Sequence, residues 1–152
     1  MSNPFVEFLR PHKTVPHTPW TANSRWDLKP SRVAVLFFGL FIFGLGDSLL
    51  IQSTIGNAPW SVLAQGVSGK LDITMGWSTF AISTLVLLLW IPLREKPGFG
   101  TISNIAIIAA AIQIGVTFFP EQDNYAIAIA YCLIGIAMVG FGSALYITCG
   151  LG

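Results

Sequence analysis

The stretch GLFIFGLGDSLLIQSTIG, residues 39–56, decides how this chain is read. It holds one ionisable side chain, Asp47, in eighteen positions. Extended back to Val33, it is an apolar run from Val33 to Gln52. A helix of about 20 such residues matches the hydrocarbon thickness of a bilayer. The stretch also recurs. GIAMVGFGSALYITCGLG, residues 135–152, lies 96 positions further on and matches it at Gly39/Gly135, Gly44/Gly140, Gly46/Gly142, Leu49/Leu145, Ile51/Ile147 and Gly56/Gly152. The copies open the first and the fourth of four apolar segments. Three spans separate the two starts, so the copies enter the bilayer from opposite sides, as inverted-topology repeats do in many transporters. The expected fold is an all-α membrane protein: about four transmembrane helices plus one short re-entrant or interfacial helix, within an inverted-repeat architecture.

Composition agrees. Of 152 residues, 53% are apolar and only 10% charged, against about 25% charged in a soluble domain. So few charges cannot cover a water-facing surface, and lipid must be the solvent for much of this one. The spans are expected at about 33–52, 75–93, 99–119 and 126–148. Barrel strands would instead show alternating ten-residue segments. Arg94-Glu95-Lys96-Pro97-Gly98 and Pro120-Glu121-Gln122-Asp123-Asn124 read as tight polar turns. Between the first two spans, Asn57 is placed to cap a helix at about 58–68 with Pro59 in its first turn. That helix is too short to span and should end at Gly66 or Gly69, with Thr74 capping the next.

Residues 1–32 form a polar, proline-rich leader with Arg10, Lys13, Arg25, Lys29 and Arg32, read as a loose cytoplasmic tail. The leader and the 94–97 turn hold seven of the eight Lys and Arg residues. The excess of Lys and Arg on the cytoplasmic side of membrane proteins puts both inside, with Lys70 outside. The expected location is the bacterial inner (plasma) membrane, with the N-terminus cytoplasmic. Net charge is +1, which gives no pull toward nucleic acid. Cys132 and Cys149 would lie about 25 Å apart on one helix, too far to pair.

No catalytic residue, metal site or cofactor is expected: paired acids, His-x-x-x-His, Cys-x-x-Cys and a phosphate loop are all missing, and His12 and His17 lie in the leader. Asp47 is the only acidic residue inside a span. A charge there costs several kcal/mol unless paired or wetted. It reads either as a proton or cation site facing a cavity, or as an interfacial Asp bonded to Ser48 or Gln52 and reached by water. Asn104 and Gln113 in the third span read as interhelical glue or as solute contacts. Asn57 joins them as a candidate contact, because a short helix dipping into the membrane would offer its positive N-terminal end to an anion. Gly39, Gly44 and Gly46, with Gly135, Gly140 and Gly142, are expected to pack the first span against the fourth.

The run Phe43-Gly44-Leu45-Gly46, then Gly56 to Trp60, Val62-Leu63 and Gln65-Gly66, resembles the YczE/YyaS/YitT-type family of bacterial membrane proteins. Leu89 to Leu93, Pro97 to Thr101, Asn104, Gly142 to Ile147 and Gly150 to Gly152 carry the likeness through residue 152. It implies a polytopic inner-membrane protein of uncertain role, with no agreed catalytic residues. Members usually continue into further helix, so the chain looks C-terminally short. Gln52 stands where an Arg is common, Ser61 where an Asp is common, and Asp47 where an apolar residue is usual.

Two functions fit these observations. One is a small-solute or anion transporter, in partnership with a missing C-terminal half or a second copy. The other is a non-transporting membrane partner that supports another pathway, docking through its leader.

Overall fold

The computed structural model describes residues 17–152, which form five helices and no strand. They are α1 (Pro30–Ser53), α2 (Pro59–Leu71), α3 (Met75–Leu93), α4 (Phe99–Phe118) and α5 (Tyr125–Thr148). All but α2 are long and apolar enough to cross a membrane. Pro30 and Pro59 each open a helix, where the missing N–H would have had no partner. Thr74 and Asn124 cap α3 and α5, their side-chain oxygens accepting from the amides of Trp77 and of Ala126 and Ile127.

The packing is that of a protein in lipid. Leu85, Leu88, Leu89 and Ile91 of α3 and Leu133, Ile134, Ile136 and Phe141 of α5 face outward. Ser48, Ser53, Ser61 and Ser78 are fully buried. Ser48 and Ser53 satisfy their hydroxyls on the carbonyls of Leu45 and Leu50, at 2.6 and 2.7 Å. Ser78 reaches the Ala64 carbonyl at 2.6 Å and so ties α2 to α3.

Helix α1 is the centre, with α5 on one side and α4 on another; α3 lies on α4, and α2 on α3. The α1–α5 contact is antiparallel and reciprocal. A methyl built on Gly39 would come within 3.1 Å of the Gly142 carbonyl oxygen, and one on Gly46 within 2.9 Å of that of Gly135. Under the displacement of 96 residues these two contacts exchange. Gly142 in turn meets Gly39 at 2.6 Å, and Gly135 meets Gly46 at 2.8 Å. The same surface serves both helices, as a two-fold relation between the copies requires, and only glycine lets the backbones approach this closely. The remaining pair departs from the expectation. Gly44 packs on Ile108 and Ala111 of α4 rather than on α5, and Gly140 has nothing within 4 Å.

Two local expectations also fail. Asn57 does not cap α2: Ala58 holds the cap position without a side-chain bond, and the Asn57 amide donates to Gln65 at 2.7 Å. The helix runs past Gly66 and Gly69 to Leu71, and Asp72 stops it in the left-handed region at φ 53°. The described part of the leader is also no loose tail. Trp20 and Thr21 donate to the hydroxyl and carbonyl of Thr148, at 3.0 and 2.8 Å, and the Ala22 amide bonds the Cys149 carbonyl at 2.8 Å. Arg25 reaches the Lys96 carbonyl at 2.7 Å. Residues 20–25, the 94–98 turn and the end of α5 therefore share one side of the bundle. His12 lies outside the described residues.

Candidate functional site

Between α1, α2, α3 and α4 lies a chamber of about 200 Å³. Asp47 enters it from α1, Ser61 from α2, Thr79 and Ser83 from α3, and Asn104 from α4. Beyond it a cleft of about 390 Å³ continues toward the leader side, between Trp90 of α3 and Tyr146 of α5. Trp60, Ser83, Asn104 and Ile105 line both and mark where they meet.

The geometry at Asp47 is set by the turn after α1. Residues 54–58 fold the chain back, and α2 starts with Pro59, so Ser61 falls in its first turn. From there the Ser61 hydroxyl donates to an Asp47 carboxylate oxygen at 2.7 Å, with both side chains buried. The helix end contributes partial positive charge beside the carboxylate. Ser48 and Gln52, the partners expected of an interfacial Asp, bond elsewhere. Ser48 caps the Leu45 carbonyl, and the Gln52 amide bridges to the Val116 and Phe119 carbonyls of α4. Among the described residues the only ion pair joins Arg32 to Asp27, so none of their cations neutralises Asp47.

The four candidate contacts separate accordingly. Asp47 and Asn104 share the chamber wall. Gln113 does not reach it: its carbonyl accepts the Gly76 amide at 2.9 Å and stitches α3 to α4. Asn57 lies outside the lining, and its side-chain oxygen is buried without a partner among the described residues. Ser61, Thr79, Ser83 and Trp60 belong to the site although residue type did not single them out. The only signal in the sequence is that Ser61, like Asp47, departs from the pattern that the family resemblance implies. No group of His, Cys, Asp and Glu is placed to hold a metal ion among the described residues.

Comparison with known proteins gives relatives but no activity. An uncharacterised protein of Haemophilus influenzae is 40% identical over 140 residues, 92% of this chain and 64% of that protein. The uncharacterised membrane protein YczE of Bacillus subtilis is 27% identical over 118 residues, 76% of this chain and 55% of its own length. A shorter match of 90 residues, 55% of this chain, is 36% identical to 22% of the Na(+)/H(+) antiporter NhaA of Geobacter sulfurreducens. The chain thus spans between about half and two thirds of the length of the first two relatives. No solved structure matches it. The resemblance to YczE read from the sequence holds, and through a match over residues 30–152 the chain belongs to the family of unknown function DUF6198.

Proposed function

We propose that the chain forms the ion- or solute-binding part of a secondary transporter, and that Asp47 is its coupling carboxylate, exchanging a proton with a small cation. One observation carries the reading: a buried carboxylate lines a chamber among the spans, accepts one hydroxyl from the short helix, and forms no ion pair among the described residues. A bare carboxylate costs about 2.5–3.5 kcal/mol at the centre of a span on insertion scales, an upper bound for Asp47 in the last two turns of α1. A bound proton or cation removes that cost. The antiparallel α1–α5 pair supports the reading, since secondary transporters place their sites at the interface of inverted repeats. The partial likeness to a Na(+)/H(+) antiporter points to the same class of ion. An anion fits less well, because Asp47 already occupies the positive end of α2. On this reading the protein lies in the inner membrane with its leader cytoplasmic, and it catalyses no covalent chemistry. The accessory-protein reading loses ground because Trp20, Thr21 and Ala22 bond within the chain and do not project.

Purified protein in liposomes, carrying a pH-sensitive dye inside and an imposed sodium or potassium gradient, tests the proposal. Wild type should move protons against the cation gradient, and Asp47→Asn should not. Flux equal to that of empty liposomes, or equal in wild type and Asp47→Asn, removes Asp47 and this function together.

A further inference from the structure

A proton or a metal ion needs only the Asp47 chamber, which leaves the larger cleft beside it without a role. Two helix faces build both spaces. On α3, Thr79 lines the chamber, Ser83 lines both spaces, and Val86, Leu87 and Trp90 line the cleft. The last three stand three, four and seven positions after Ser83, so they share its face of the helix. On α4 the order is reversed: Ile112 and Ile108 line the chamber, Asn104 lines both, and Thr101 lines the cleft. At 1.5 Å per residue, Thr79 to Trp90 covers about 16 Å. Chamber and cleft therefore form one elongated path. A carboxylate lies at its inner end, Trp60 where the two spaces meet, and Trp90 and Tyr146 along the cleft.

This lining selects a class of ligand. No Lys or Arg of the described residues lines either space, so an anion, or the phosphate of a lipid headgroup, finds no partner there. The cleft wall is mostly apolar, which gives a bare metal ion nothing to bind. Its volume of about 390 Å³ lies in the range of about 300–1,000 Å³ that holds small organic molecules. Indole and phenol rings attract ammonium groups, quaternary ones included, and do so best where water is excluded.

We propose that the path binds a hydrophobic organic monocation, a protonated amine or a quaternary ammonium. Its charged end lies by Trp60, Ser83 and Asn104 on the way to Asp47, and its aromatic or alkyl body lies between Trp90 and Tyr146. The inference rests on the reading of Asp47 as the carboxylate that accepts a cation, and it names the class of that cation.

Isothermal titration calorimetry of the full chain in a maltoside detergent tests it, with benzyltrimethylammonium as the probe. This probe should bind at least about tenfold more tightly than tetramethylammonium, which has the charge without the body. It should exceed benzyl alcohol, which has the ring without the charge, by a similar factor. Asp47→Asn and Trp90→Leu should each weaken its binding by about tenfold or more, and Trp90→Phe should keep most of the affinity. Trp77→Leu, on an exposed residue outside both spaces, should leave it unchanged. If Trp90→Leu does not fold, Tyr146→Leu tests the facing wall. Equal affinity for the three probes overturns the proposal, and so does equal affinity in wild type and either Asp47→Asn or the cleft variant. Sodium- or potassium-coupled proton flux in a protein that does not bind benzyltrimethylammonium overturns this inference and leaves the exchange in place. Binding of the probe without any proton-coupled flux does the reverse.

Discussion

At the scale of the residue, Asp47 and Ser61 depart together from what the family resemblance leads one to expect, and the structure joins them by a 2.7 Å hydrogen bond. Removing the Ser61 hydroxyl takes away a hydrogen bond to a charged group, worth about 1.5–3 kcal/mol. Ser61→Ala should therefore weaken cation dependence of flux by about tenfold or more, while Ser61→Thr keeps it. The glycines give a cleaner contrast, because they have identical chemistry and opposite surroundings. Gly142→Ala forces a methyl to 2.6 Å from the Gly39 carbonyl oxygen. It should cost about 1–3 kcal/mol of stability. Gly140→Ala meets nothing within 4 Å, and its thermal midpoint in detergent should not fall.

At the scale of the element, helix existence and extent were legible because the thickness of hydrocarbon sets them. The expected span at 75–93 coincides with α3, and the others differ from α1, α4 and α5 by at most three residues at an end. The Thr74 cap was legible for a local reason: a hydroxyl just ahead of an apolar run can reach the amide three residues on. Asn57 does otherwise because the helix starts at Pro59 with Ala58 at its cap, which leaves Asn57 one residue ahead of the capping position, and its side-chain NH2 donates to Gln65 instead. The end of α2 was also misjudged, since Gly66 and Gly69 are tolerated inside a helix and Asp72 supplies the left-handed stop. Neither the Asp47–Ser61 bond nor the docked leader could be read locally; both depend on where a turn returns the chain. Asn124 holds two amides of the first turn of α5. Asn124→Ala should lower stability by about 1 kcal/mol, read as a drop in the thermal midpoint with flux per folded protein unchanged.

At the scale of the whole molecule, a reciprocal glycine contact sets α1 and α5 antiparallel, and the polar chamber forms where α1 also carries α2 and α4. The repeat and the chamber are thus two consequences of one sequence stretch, residues 39–56: its glycines make the helix pair and its Asp47 makes the site. Trp20, Thr21 and Ala22 close the bundle on the side of the end of α5. Trp20→Ala, which removes the bond to Thr148, should loosen that end and raise proteolysis within residues 17–29 without altering insertion. On the proposed function, Asp47 is the group that exchanges proton for cation. Infrared difference spectroscopy of the membrane-embedded protein, recorded as sodium or potassium is added, observes that carboxyl directly. Wild type should lose one protonated-carboxyl C=O band, and Asp47→Asn should give a flat difference spectrum in that region. The same spectrum from both proteins would contradict that role.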